Sequence, residues 1–558
     1  MRTDRQGVSS VFFFSAFLLV NGKIWTGDPQ KPTVQAVAVV NETIAAVGTD
    51  EEILKLGGGK TVVVDLLGKL VLPGFNDAHV HFLEGGQSLN GPQLRYVKSA
   101  EEFRDTLGEF AKRQPRGSWI LGGEWDNEDW SKKDLPTQEL IDAATNHWPV
   151  FVTRTDGDMS LANSVALEKA GINSKTKDVE GGVIVRDERG NPTGILKGEA
   201  QDLLRRVIPP ATVEAIRDAL RAAQTYANSH GVTSVQDMSA TPEVLRAYES
   251  MLKDGELHVR VSGHQALADW KRLADVGVTA NFGNPWLHIG ALTGLADGSV
   301  RSGTALFQKP YSDDSKSSGT PSTELLHSKQ MWGDIRDADA AGLQIAIDAS
   351  GDKANHEILN LYERLAWEKG SRDRRLRIEQ AEHLSVHDMD RFAALHVVAS
   401  MQPYHCIDDG RWTESRVGPE RAKTAFAFRS LLHKGTILAF GSDWPFEPIS
   451  PLLGIYAAVT RRTLDGKHPE GWIPEQEITV EEAVRAYTIG SAFASFEDEV
   501  KGSIKPGKVA DLVVLSDDIF KIDPQKIPDV KVQATIVGGR LVTGELPRRR
   551  DASGLLIR

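Results

Sequence analysis

A long stretch of this chain alternates short apolar runs with amphipathic segments of helical spacing, and that alternation restricts the fold more than any other feature. Between residues 75 and 499 the apolar runs include SWILGG, PVFVTR, VTSVQDM, LHIGAL, LQIAIDAS, RLRIEQAEH, HVVASMQP and ILAFGSDWP. Helical spacing covers 213–230, 328–341, 353–369 and 480–490. Repeated strand–helix units require parallel strands with right-handed crossovers, and a run of this length predicts an α/β fold with a (β/α)8, TIM-like barrel. Several runs end in a polar residue: Asp237, Asp297, Asp348, Gln380, Gln402 and Asp443. A barrel collects such positions at its C-terminal mouth, where active sites form. The chain between His81 and Gly231 exceeds one β/α unit, so an insertion at about 84–230 is expected over the mouth.

The two ends read differently. FLLVNGKIWTG, QAVAVVNETIAAVG and TVVVDLLGKLVLPG are β-rich and punctuated by Asn-Gly, Gly-Asp and Gly-Gly-Gly turns. The texture returns only in GSIKPGKVADLVVLS and VQATIVGGRLVTG. One small β-sandwich built from 1–74 and 500–558 is therefore expected, around a barrel at 75–499. The apolar stretch 11–20 (VFFFSAFLLV) is too short to span a ~30 Å hydrocarbon layer. It follows Arg2 and Arg5 as in a signal peptide, but no A-x-A-like site comes after it. It reads as strand, with a cytoplasmic protein as the expectation and export as the alternative.

Composition removes several function classes. With 558 residues, 40% hydrophobic and 25% charged, wholesale disorder is excluded. A net charge of −12 argues against a general binder of nucleic acid or anionic membranes and for a small-molecule partner. A homodimer is left open. The single cysteine, Cys406, forbids an intrachain disulfide or a cysteine-based zinc site and reads as a small buried residue.

The strongest local signal is VLPGFNDAHVHF, with His79 and His81 two residues apart. In a strand, residues i and i+2 face the same side, so both imidazoles would point into the barrel. That spacing suits a divalent metal such as Zn²⁺; two hydrogen-bonded histidines in a polar mouth are the alternative.

The segment LPGFNDAHVHF, with VNGKIWTGD, GSIKPGKVADLVVL and FGSDWP, resembles the amidohydrolase superfamily. PVFVTRTDGD, GVTSVQDM, ADGSV, SMQPYHCIDDGRW and PLLGIYAAVTRRT are similar to its amidohydrolase-3 group, which includes N-substituted formamide deformylases. The resemblance runs from about Leu18 to Gly544 and implies a barrel, a small β-sandwich and a metal site that activates water. On that resemblance His79, His81 and Asp443 are metal ligands, and Asp443 also shuttles the proton of the attacking water.

Other family positions depart. A lysine that can be carbamylated to bridge two metals is Thr293 in LTGLADGS; HAIGD becomes DASGD with Asp348; RIEHAQH becomes RIEQAEH with Gln380; RTDGH becomes RTDGD with Asp158. These changes lie at the mouth while neighbouring words survive. Thr293 cannot form a carbamate, and Gln380 is a poor zinc ligand, whereas Asp348 can bind zinc through oxygen. The expected centre is thus one divalent metal, zinc first, on His79, His81, Asp348 and Asp443. The alternative is a metal-free pocket in which these residues supply acid and base, as in a lyase, isomerase or cyclisation catalyst, or a catalytically dead binding protein. In either enzymatic reading the catalytic residues are Asp443, Asp348, His79 and His81. Substrate contacts are expected from Trp125, Arg154, Asp158, Asp297, Tyr404 and His405, with Asp158 bringing a charge suited to an amine. Glu379, Glu382 and His383 read as structural, and Trp444 and Pro445 as shaping the loop beside Asp443. The leading expectation is hydrolysis of an amide, formamide or cyclic-amide C–N bond in a small molecule.

Overall fold

The computed structural model describes residues 16–58, 61–546 and 549–550. Eight parallel strands run in sequence order around a nearly closed barrel: Phe75–Val80, Val232–Asp237, Arg260–Ala266, Leu287–Leu295, Ile345–Ala349, Arg377–Gln380, Val398–Met401 and Leu438–Phe440. The third, RVSGHQA, escapes a search for apolar runs because Ser262, Gly263, His264 and Gln265 occupy its second half. SWILGG and PVFVTR also form strands, but in the insertion and not in the barrel.

Closure depends on the segment after the three-residue eighth strand. Asp443 N–H donates to His79 O at 2.8 Å, and His81 N–H donates to Trp444 O at 2.9 Å. Asp77 accepts from Ser442 N–H at 2.9 Å and from the Ser442 hydroxyl. Here Gly441 is required: a Cβ on it would stand 2.4 Å from His79 N, closer than any side chain tolerates.

The terminal strands build two facing sheets. One contains Ala16–Val20, Ala36–Val40, Thr43–Gly48, Val62–Asp65 and Arg549–Arg550; the other contains Lys23–Trp25, Thr33–Val34, Leu70–Pro73, Leu512–Leu515, Val532–Val537 and Arg540–Gly544. Phe17, Leu19, Val37 and Val64 pack against Val71, Leu512, Val514 and Ile536 between them. The strand predicted at 11–20 is Ala16–Val20; residues 11–15 lie outside the described residues. Arg260, fully buried in the third barrel strand, ties barrel to sandwich through Asp511 at 2.6 and 3.0 Å.

Between the first and second barrel strands lies a five-stranded sheet, Ile120–Trp125, Val150–Arg154, Met159–Ala162, Gly182–Arg186 and Pro192–Gly198, with its own apolar core. That independent packing ends before residue 213, short of the expected boundary near 230. Helix Val213–Ser229 carries Ile216, Leu220, Ala223 and Ala227 at helical spacing and buries them in the barrel core. Among the described residues no helix is long and apolar enough to cross a membrane. Cys406 is buried and unpaired.

Candidate active site

A cavity of about 840 Å³ lies between the barrel mouth and the insertion. His79 is the penultimate residue of the all-buried first strand, and His81 follows that strand as the N-cap of helix Phe82–Ser88. Their Nε2 atoms both stand 3.4 Å from Asp443 Oδ1. The three donor atoms lie within 4.8 Å of one another, and Asp443 Oδ1 is buried without a hydrogen-bond partner. Two imidazole nitrogens and one carboxylate oxygen, converging on an unsatisfied point, form a donor set that fits one divalent cation.

The opposite ring nitrogens are already engaged. His79 Nδ1 is 2.9 Å from Glu379 Oε2, and His81 Nδ1 is 2.6 Å from Ser239 Oγ. Glu379 is itself gripped by Arg377 Nε at 2.7 Å, and Arg377 Nη2 reaches Ala78 O and Ser400 Oγ, so the interior of the barrel aims His79 Nε2 outward. Burial would raise the Glu379 carboxyl, but Arg377 and His79 override it and bring it down to about 2. Burial disfavours the charged form of His79, yet the facing Asp443 carboxylate and the hydrogen bond with Glu379 raise it to about 10. Despite its burial, Asp443 is held well below the ordinary carboxylate range by the hydrogen bond from His405 and by the adjacent imidazoles of His79 and His81.

The other oxygen of Asp443 is shared. His405 Nε2 is 3.1 Å from Asp443 Oδ2, and Gln380 Nε2 donates to the same atom at 3.2 Å. His405 Nδ1 faces Asp409 at 3.6 Å and Glu447 at 3.4 Å. Burial opposes charge on this imidazole, but the flanking carboxylates raise it well above the usual value. Gln380 and Asp443 both adopt left-handed backbone, at φ 64° and 62°, strain that persists only where surrounding structure enforces it.

Several expected residues fall elsewhere. Asp348 lines the cavity but is not in the donor cluster, its short side chain ending outside the point where the other three converge, so the expected four-ligand centre becomes a three-ligand one. Burial pushes its carboxyl up to about 7. Thr293 donates to Gln265 O at 3.2 Å and offers no ligand. Trp125 is fully buried, bonded to Val152 O at 3.0 Å and packed on Phe103 and Trp130, behind the wall and not in it. Arg154 is likewise behind the wall, held by Asp156 and Asn127, and Tyr404 does not line the cavity. Asp158 and Asp297 do line it, but both are occupied. Asp158 Oδ2 accepts from Ser302 and Thr304 hydroxyls at 2.6 Å, while Asp297 accepts from the backbone of Leu306, Ser350 and Gly351. His383 packs between Phe307 and Phe426, and burial lowers it to about 4.

Three contributors were missed or undervalued. Glu379 positions a ligand, a role signalled by its i, i+2 relation to Arg377 on one strand face. Glu382 lines the cavity. Ser239, on a loop after the second strand, has no sequence signal of its own.

The sequence profile of the Amidohydrolase family matches residues 62–543. Protein LONG AFTER FAR-RED 3 of Arabidopsis thaliana is 38% identical over 94% of this chain and 91% of its own length. The N-substituted formamide deformylase of Arthrobacter pascens is 27% identical over 94% and 97%. Among solved structures, an uncharacterized metal-dependent hydrolase from Pyrococcus horikoshii is 31% identical, covers 92% of this chain and 99% of its own, and superposes with a TM-score of 0.75.

Proposed function

The chain belongs to the amidohydrolase family, a family of hydrolases, and from that premise we propose that it hydrolyses a carbon–nitrogen bond of a small amide or formamide at a one-cation centre. The observation that carries this reading is the convergence of His79 Nε2, His81 Nε2 and Asp443 Oδ1 within 4.8 Å at the floor of a large cavity. His79, His81 and Asp443 would hold the cation, zinc being the first candidate for a nitrogen- and oxygen-donor site. Such an ion polarises a carbonyl and acidifies water. The similarity to a metal-dependent hydrolase and to a formamide deformylase supports both halves of the reading.

The chain's own groups do the proton work. Asp443 takes the proton of the attacking water and returns it to the departing nitrogen. His405, charged and donating to Asp443 Oδ2, keeps that carboxylate ionised and aimed. Glu379 holds a proton on His79 Nδ1, so a bound cation would take the place of the second proton at Nε2.

One observation favours a second reading without metal: Thr293, Asp348 and Gln380 leave the other half of a two-metal centre without ligands, and the remaining imidazoles are clamped by carboxylates. Elemental analysis decides between the two. About one equivalent of metal per chain is expected, with amide or formamide turnover lost on chelation and lowered roughly 10²–10⁴-fold or more in Asp443→Asn. A folded, active protein without stoichiometric metal would overturn the one-cation centre in favour of acid–base chemistry.

A further inference from the structure

We propose that the cavity selects substrates bearing a positively charged amine, amidine or guanidine group, which Glu382 and Asp348 hold as carboxylates. The inference rests on the small-molecule reading of this cavity and adds the chemical class of what enters it.

Most acidic side chains in the wall are already answered by the protein. Asp158 is capped by two hydroxyls, Asp297 by three backbone N–H groups, Asp409 by Arg301, and Asp443 by histidines. The carboxyls of Glu382 and Asp348, like those of Glu84 and Glu199 in the same wall, have no hydrogen bond or ion pair within the described protein, and Glu382 is the most deeply buried of the four. Glu382 is 93% withdrawn from solvent, being 7% exposed. A carboxyl buried without a donor keeps its proton, and a cationic ligand would take that proton's place.

The protein has no cation to spare for them. The lining cations are all engaged: Lys197 with Ser302 O at 3.1 Å, Arg205 with Asp202, Arg301 with Asp126, Asp408 and Asp409, His405 with Asp443, Asp409 and Glu447, and His79 with Glu379 and Asp443. The placement of Glu382 is also enforced. Gln380 and Ala381 take successive left-handed conformations, at φ 64° and 46°, which turn the chain after the sixth strand. Residue 382 then anchors by its carbonyl to Phe426 N–H at 2.7 Å. The cation expected to meet Asp158 therefore finds its unsatisfied partners at 382 and 348.

Benzamidine and benzamide have nearly the same shape and differ in charge, so their affinities for the metal-loaded full chain, measured calorimetrically, test the idea. Benzamidine is expected to bind at least about tenfold more tightly, as charge-assisted pairs in a dry site require. Glu382→Gln should erase that ratio while leaving metal content and benzamide affinity in place. Asp348→Asn reads the same ratio should Glu382→Gln fail to fold. Equal affinities in the wild type, or an unchanged ratio in a folded Glu382→Gln protein, would overturn the proposal. Loss of metal from Asp348→Asn would assign Asp348 to the metal and remove it from this role. A preserved ratio without C–N hydrolysis would sink the hydrolase reading alone; hydrolysis of neutral amides without charge preference would sink this one alone.

Discussion

Each group at the centre is set by the residue behind it. His79 can present Nε2 only because Glu379 occupies Nδ1, and Glu379 stays ionised only because fully buried Arg377 pairs with it. Glu379→Gln should therefore act on the metal without touching substrate. A loss of roughly 10–100-fold in metal affinity is expected, read by competition with a coloured chelator. Unchanged affinity in a folded variant would remove Glu379 from the centre. Asp443 works the other way, giving one oxygen to the histidine pair and the other to His405 and Gln380, so its two roles are separated by atom.

At the scale of elements, the seam between the eighth and first strands sets the distance between Asp443 and the histidines. Loop residues 441–444 take over from a strand too short to complete the barrel, and the chains approach so closely that a side chain at 441 has no room. Gly441→Ala should push the loop off the first strand. Overpacking of this kind costs about 1–3 kcal/mol, so a lower Tm should accompany weakened metal binding. A variant with normal Tm and metal content would show that the seam yields without cost. The sixth strand makes a comparable point: its pleat sends Arg377 and Glu379 inward together, and the left-handed turn after it brings Glu382 to the cavity.

At the scale of the molecule, Arg301 fastens the insertion to the barrel. Its buried guanidinium meets Asp126 from the insertion and Asp408 and Asp409 from the helix Pro403–Asp409 that carries His405. Arg301→Lys cannot reproduce that fork, and three buried carboxylates would lose part of their compensation. A destabilisation of about 3–5 kcal/mol is expected, with turnover falling in step because Asp409 also faces His405; chemical denaturation and kinetics on the same preparation check it. The acid–base balance is also global. Burial raises Glu382 to about 8 and Glu124 to about 7, so both bind protons more tightly folded than unfolded. Their contribution is complete below the unfolded value of ~4.3 and is lost as pH rises through the folded values. The Tm of the metal-stripped protein should fall between about pH 5 and pH 9, and Glu382→Gln should flatten that slope. A Tm rising with pH over that range would contradict the burial of these acids.

The strand–helix alternation and the β-rich ends were legible in the amino-acid sequence because period and turn chemistry are local. His79, His81 and Asp443 could be singled out from the histidine pair and the family resemblance, but the structure places His81 just past the first barrel strand and Asp443 three residues past the eighth. The third barrel strand was hidden by its polar half. The sequence could not reveal that Asp348 falls short of the donor cluster, that Trp125 and Arg154 lie behind the wall, or that Asp158 is already capped. Those outcomes depend on which strands are neighbours and how far each side chain reaches across them. Ser239, 158 residues from His81 along the chain, meets its ring at 2.6 Å only because the second strand lies beside the first. Spacing along one strand is set by covalent geometry, which the sequence carries; partners across a barrel are set by closure, which only the folded chain supplies.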